Sequence, residues 1–271
     1  MIASDLDGTL LKKDSTLSEY TLAVLERADR QGIKTVIASG RAFHTLPECV
    51  LNLDCAHFAI TSNGAAIYDL RQKKLLKKRV LKEQSARKII EYAKDKQLGI
   101  ELFVDGKAYA EKYYFEHPQE FGFGKKSKNY LFTTRKKLES FEDFFENNIE
   151  RLESIAFILK EPKMRVEIRE ELCKDKDLYI TSSHKKIMEF SDSLCGKENA
   201  LKFLLEQEGC KSENLVTFGN ADNDIGMIKL AKIGVATESS PKSVKKEADN
   251  ICGDCEKDGV AIFIDKLLRG E

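Results

Sequence analysis

The chain has 271 residues, enough for one large domain or two moderate ones, and its 42% hydrophobic content can fill buried cores. Its 45 basic and 45 acidic residues balance to a formal charge of zero, so no global field draws it to nucleic acid or to an anionic membrane. Seven scattered cysteines with no secretory signal favour free thiols in a reducing cytoplasm, and no apolar run approaches the ~20 residues that span a bilayer. Cys252-Gly253-Asp254-Cys255 is a lone CxxC, without the second pair or the histidines of a zinc site.

The first element is a short apolar strand running into Asp5-Leu6-Asp7-Gly8-Thr9-Leu10. It is shorter than the usual ~5 residues, which leaves open a true start upstream of Met1. Side chains alternate along a strand, so Asp5 and Asp7 share a face while the backbone stays extended, and Gly8-Thr9 marks a turn. Such a pair could be a solvated acidic turn. At the mouth of a strand, one carboxylate could equally attack an electrophile while the other serves as acid and base, both drawing in a divalent cation.

Ser18 then offers a helix cap, with Leu22, Leu25 and Ala28 at helical spacing until Gly32. Residues 33–38 read as a β-branched strand ending in Ser39-Gly40-Arg41, residues 43–51 as a helix, and residues 58–60 as a strand ending in Thr61-Ser62-Asn63-Gly64. This alternation predicts an α/β fold with a parallel, doubly wound sheet. Ligands of such sheets collect outside the carboxyl ends of the strands, where Asp5, Ser39 and Asn63 fall.

From Val80 the rhythm changes. A helix over 83–96 is followed by a hairpin, strands 100–104 and 108–111 joined at Asp105-Gly106, then a polar and aromatic stretch over 113–129 and a helix through Leu138, Phe141, Phe144, Phe145 and Ile149. Strand 155–159, a helix starting near Pro162 and strands 178–181 and 187–190 complete an α+β segment. The expected division is a discontinuous core over 1–79 and 190–271 with an inserted α+β domain over 80–189. Beyond Ser191 the alternation resumes: helix 198–207, strand 215–218 entering Gly219-Asn220-Ala221-Asp222-Asn223-Asp224, helix 225–231, strand 233–236 and a last helix over 260–268.

Each polar cluster has a plain structural reading. Ser39 could cap a helix, Lys197 could be solvated, Asn63-Gly64 could be only a turn, and Asn223-Asp224 could cap the following helix. Their convergence on one sheet edge is what suggests a site, because phosphoryl transfer needs a nucleophile, cations and hydrogen-bond donors in one place.

In order and placement the motifs resemble the haloacid dehalogenase superfamily, in particular its Cof-like branch of small-molecule phosphatases with a large α/β cap, over essentially the whole chain. DLDGTL fits the first motif, Ser39-Gly40-Arg41 the second, Gly196 to Leu201 the third with its lysine at Lys197, and Phe218 to Ile228 the fourth. Asn63-Gly64-Ala65 and Asp258-Gly259-Val260 also match turns of the branch. The resemblance implies a Rossmann-like core under a cap that sets specificity, with Asp5 as nucleophile and Asp7 as general acid and base. Ser39, Gly40, Lys197 and Asn223 would bind phosphate. Mg2+ would lie among Asp5, the Asp7 carbonyl, position 220 and Asp224, and the substrate would be a small phosphorylated metabolite such as a sugar phosphate.

Two positions depart from the pattern. Asn220 stands where the fourth motif has a metal-binding Asp, which removes a charge from the metal shell, and Gly-Lys-Glu replaces the usual Lys-Gly around Lys197. The alternatives are a sugar phosphomutase or dedicated sugar-phosphate phosphatase of the same fold, or a phosphometabolite-binding protein whose catalysis is weakened by Asn220. Residues between Tyr113 and Tyr130, with His117 and Arg165, are specificity candidates that could equally be packing or surface. Oligomeric state and the individual substrate are left open.

Overall fold

The computed structural model describes residues 1–271 and separates into two compact units. The first holds Met1–Gly40, Leu46–Lys77 and Gly196–Glu271, and the second holds Arg41–Thr45 and Lys78–Cys195. No helix is long and apolar enough to cross a membrane.

The sheet of the first unit contains β1 (Ile2–Ser4), β2 (Thr35–Ala38), β3 (Ala56–Thr61), β4 (Ala66–Asp69), β5 (Lys74–Lys78), β12 (Val216–Gly219), β13 (Ile233–Thr237) and β14 (Asn250–Cys252), the intervening strands belonging to the second unit. Their order is β14-β13-β12-β1-β2-β3-β4-β5. From β14 to β3 every pairing is parallel, as the α/β alternation predicts. β4 returns antiparallel to β3, so the sheet is mixed rather than purely parallel. The physical reason is loop length: Ser62 to Ala65 is far too short for the crossover that a parallel neighbour requires. The chain moves outward from β1 on one side and from β12 on the other, and the crevice between these neighbours is where such sheets bind ligands.

Helices cover both faces of this sheet. On one, α8 (Lys197–Gln207) buries Ala200, Leu201, Leu204 and Leu205 in a single cluster with Ala3, Val36, Ala38, Phe58 and Ile60 of the strands and Met227 of α9 (Ile225–Leu230). Elsewhere α1 (Glu19–Arg30) pairs with α11 (Gly259–Arg269). The Ser18 side chain caps α1 by accepting from the Thr21 N–H, as expected from sequence. Asp265 of α11 accepts from Tyr20 (3.0 Å), Arg27 and Arg269 (2.6 Å), and Asp258 accepts from Ser18 (2.7 Å), which ties the first helix to the last. A single helix over 43–51 does not form. A 3-10 turn (Phe43–Thr45) and the short α2 (Glu48–Leu51) replace it, because Pro47 has no N–H to continue a helical ladder and instead precedes a new start.

The second unit has a six-stranded sheet ordered β10-β11-β9-β6-β7-β8. Its strands are β6 (Leu98–Val104), β7 (Lys107–Ala110), β8 (Arg135–Lys137), β9 (Leu152–Leu159), β10 (Leu178–Thr181) and β11 (Ile187–Asp192). The β6-β7 hairpin turns at Asp105 (φ 49°) and Gly106 (φ 71°), the paired left-handed residues that an Asp-Gly hairpin turn requires. α3 (Glu83–Ala93), α6 (Phe141–Asn148) and α7 (Met164–Leu172) contribute Ala86, Ile89, Phe145, Ile168 and Leu172 to a core with Leu102, Phe157 and Phe190 of the sheet. The stretch over 113–129 is largely helical, in α4 (Lys112–Glu116), a 3-10 turn (Pro118–Phe121) and the start of α5 (Lys125–Thr134), and it buries Tyr114 and Phe121 in a cluster with Leu131 of α5. α10 (Lys242–Lys246) of the first unit follows Pro241 and has no counterpart in the sequence reading.

Candidate active site

All eight residues expected at a site, Asp5, Asp7, Ser39, Gly40, Lys197, Asn220, Asn223 and Asp224, lie in the first unit. β1 extends by one bond past Ser4, the Asp5 N–H donating to the Phe218 carbonyl at 2.9 Å, and the chain then turns so that the Thr9 and Leu11 N–H groups both donate to the Leu6 carbonyl. Gly8 stands in this turn at φ 80°, where a Cβ would lie 2.2 Å from Asn220 Nδ2. Only glycine fits, on both conformational and steric grounds. Asp5 ends up 6% exposed, whereas Asp7, two residues on, is open to solvent.

Lys197 is the centre of the charge arrangement. It is fully buried in the first turn of α8, and its Nζ donates to Asp5 Oδ1 at 2.7 Å and to Asp224 Oδ1 at 2.6 Å. Burial works against its charge, but the carboxylates of Asp224 and Asp5 outweigh that and hold its pKa above an ordinary lysine's. Burial pushes the Asp5 carboxyl up to about 7; the Lys197 ammonium opposes this rise, and Asp224 and Asp7 add to it. Thr9 Oγ1 donates to the other Asp5 oxygen at 3.1 Å, so the carboxylate is held from both sides. Asp224 is also fully buried, and its Oδ2 accepts from the N–H groups of Asn220 (2.7 Å) and Ala221 (2.9 Å). With Lys197 on Oδ1 and two amides on Oδ2, Asp224 has most of its acceptor capacity spent on the protein.

The hard oxygen donors near this centre are the Asp5 carboxylate, the Asp7 carbonyl and the Asn220 amide, a chemistry that suits magnesium. No three His, Cys, Asp or Glu side chains stand together as a metal cluster, so a cation here would depend on the backbone carbonyl and the amide. Asn220 Nδ2 donates to the Asp7 carbonyl at 3.0 Å. A half-turn of that amide exchanges nitrogen for oxygen and sets two acceptor oxygens side by side, an arrangement that a cation relieves. The donor set therefore fits Mg2+, with one carboxylate fewer than two acidic ligands would supply.

Ser39 is buried at the end of β2, where its N–H donates to the Ile60 carbonyl at 2.8 Å, and Gly40 follows it. Asn223 is buried after β12, and its Nδ2 donates to Asn63 Oδ1 at 2.9 Å. Two side chains thus join the constellation that had been given no role of their own, Thr9 and Asn63, although Asn63 was placed at a strand end where ligands collect. Thr9 lies inside the DLDGTL string, and its spacing of four from Asp5 was the available signal. His117 and Arg165 belong to the second unit, where the His117 ring stacks on Tyr113 at 4.5 Å and its Nδ1 lies 3.1 Å from the Tyr113 carbonyl.

The family model of haloacid dehalogenase-like hydrolases matches residues 2–264. The chain is 27% identical over 286 residues to 5-amino-6-(5-phospho-D-ribitylamino)uracil phosphatase YwtE of Bacillus subtilis, covering 100% of this chain and 98% of that one. It is 30% identical over 263 residues to the phosphatase of the same name, YcsE, from the same organism, covering 96% of this chain and 92% of the relative. A solved haloacid dehalogenase-like hydrolase from B. subtilis superposes with a TM-score of 0.87 at 23% identity, over 98% of this chain and 99% of that one. The chain therefore belongs to the haloacid dehalogenase-like hydrolases, in the Cof-like branch with an inserted cap, and is a phosphoric monoester hydrolase.

Proposed function

We propose that the protein is a magnesium-dependent phosphatase of small phosphorylated metabolites that works through a phosphoaspartate at Asp5. The observation that carries this reading is the buried Asp5-Lys197-Asp224 arrangement, which keeps a nucleophilic carboxylate and a phosphate-binding ammonium within hydrogen-bond reach of each other. An Asp5 oxygen attacks phosphorus and the ester P–O bond breaks, while Asp7 gives its proton to the departing alkoxide. Asp7, now a carboxylate, then takes a proton from water; the resulting hydroxide attacks phosphorus, and Asp5 leaves as a carboxylate with inorganic phosphate as product. Solvent access at Asp7 supports this exchange of protons, and Thr9 restrains the Asp5 carboxylate for in-line attack.

Ser39, Gly40, Lys197 and Asn223 hold the phosphoryl oxygens in this reading. Asp5, the Asp7 carbonyl and Asn220 would hold Mg2+, with Asp224 supporting the site chiefly by anchoring Lys197. When bound, the cation offsets negative charge on the phosphoryl group. The phosphorylated small molecule named for the two B. subtilis relatives supports the same broad substrate class, small phosphomonoesters. A second reading, a phosphatase whose turnover is weak, is favoured by the Asn220 side-chain amide, whose Nδ2 donates to the Asp7 carbonyl. Asp5→Asn should abolish Mg2+-dependent turnover of an aryl phosphate without lowering the melting temperature appreciably. Activity retained in that variant would defeat the covalent mechanism, and a wild type that binds phosphate well but turns over only weakly at saturating Mg2+ would favour the second reading.

A further inference from the structure

Three consecutive residues after β3, Ser62, Asn63 and Gly64, have left-handed backbones, with φ of 48°, 52° and 95°. Gly64 takes this without penalty, and its Cα lies so close to the next segment that a Cβ would meet the Gly196 carbonyl oxygen at 2.4 Å. Ser62 and Asn63 do not, since a side chain in this region costs on the order of 1–3 kcal/mol when the surroundings must enforce it. A tight reversal between antiparallel strands does not need three such residues.

The conformation brings together segments that are remote in sequence. The Asn63 N–H donates to the Ser39 carbonyl at 3.2 Å, and the Asn63 carbonyl accepts from the Gly196 N–H at 2.9 Å, immediately before Lys197. Its Oδ1 accepts from Asn223 Nδ2 at 2.9 Å. One residue, 1% exposed, thus joins the three segments that carry Ser39, Lys197 and Asn223. Its side chain also decides which way the Asn223 amide faces. With Asn63 Oδ1 as the acceptor, Asn223 turns Nδ2 toward it. That leaves Asn223 Oδ1 buried with no hydrogen-bond partner. Such an orphan is unusual for a purely structural asparagine, and it means that the amide is not consumed by the fold. The second Nδ2 hydrogen remains for an anionic oxygen.

We infer that Asn63 is a positioning residue for phosphate recognition: its carboxamide orients Asn223, and its backbone sets the spacing of Ser39 and the start of α8. This rests on reading Asn223 as a phosphate contact. The test uses the full chain with Mg2+, inorganic phosphate as the probe in calorimetry, and kcat and KM for an aryl phosphate. Asn63→Gly keeps the left-handed backbone and removes only the carboxamide, Asn63→Ala removes it and restores the strain, and Asn223→Ala removes the group acted upon.

Asn223→Ala should weaken phosphate binding about tenfold and Asn63→Gly about 3- to 10-fold, while the double variant should bind no more weakly than Asn223→Ala alone. Asn63→Ala should show the same loss of phosphate binding as Asn63→Gly at a lower melting temperature. Wild-type phosphate binding in Asn63→Gly, multiplicative losses in the double variant, or losses that follow melting temperature rather than the carboxamide would each overturn the role of Asn63. Wild-type binding in Asn223→Ala would instead remove the phosphate-contact reading on which that role depends.

Discussion

Replacing a carboxylate by a carboxamide beside a cation position exchanges one negative charge for the ability to donate a hydrogen bond. Asn220 uses that ability on the Asp7 carbonyl at 3.0 Å, so the amide and the carbonyl satisfy each other. A carboxylate at position 220 could not donate, and it would face an acceptor across the same short gap. Asn220→Asp should therefore lower the melting temperature in chelator and raise it steeply with added Mg2+, because a ligand that binds only the folded state stabilises it by mass action. A unit charge a few ångströms from a cation contributes about 1–4 kcal/mol between aqueous and near-surface dielectric, so Mg2+ affinity should rise at least about fivefold. Titration of Mn2+ by electron paramagnetic resonance, without substrate, reads this directly; equal affinity in the two proteins would mean that position 220 takes no part in holding the cation.

At the scale of elements, the second unit contains a buried ion pair that joins separate segments of its sheet. Arg135 of β8 donates to Glu101 Oε2 of β6 through Nε (3.0 Å) and Nη2 (2.9 Å), and Tyr114 of α4 donates to Glu101 Oε1 at 3.2 Å. The Arg135 and Arg41 guanidinium groups each lie over the Tyr130 ring, 4.8 Å from its centroid. Removing one partner of such a pair strands the other charge in a poor solvent, so Arg135→Ala should destabilise this unit by about 3–5 kcal/mol, whereas Glu101→Gln with Arg135→Met should recover much of the loss. Urea midpoints of the three proteins check this, and a double variant no better than the single one would count against desolvation as the cause. None of this is visible in the sequence, where Glu101 and Arg135 look like two more charges in a 33% charged chain. The elements that sequence does reveal are those whose pattern is local: α1 through its Ser18 cap, the Asp105-Gly106 hairpin, and the apolar stripe of α8. β4 and β14 escape because their pairing depends on neighbours already in place. In the site, Asp5 and Lys197 announce themselves by motif, but Asn63 reads as a mere turn because its side-chain partner lies 160 residues away.

The molecule has two large buried cores, one around α8 and β1 to β3 and the other around β6, β9 and β11. Every residue proposed to act on phosphate belongs to the first. Phe157 of β9 is fully buried in the second core, its ring 4.8 Å from Phe190 and 6.4 Å from Tyr92. Phe157→Ala leaves a cavity there and should cost about 3–5 kcal/mol. If the two cores melt as separate cooperative units, calorimetry of this variant should show one transition displaced downward and the other near its wild-type temperature. Inorganic phosphate with Mg2+ should raise the undisplaced transition, because the ligand binds residues of the first unit, and should leave the displaced one nearly unmoved. A single transition that shifts as a whole with both the mutation and the ligand would show instead that the insertion and the core fold as one unit, and that the stability of the phosphate site extends to residues such as Phe157 in the other core.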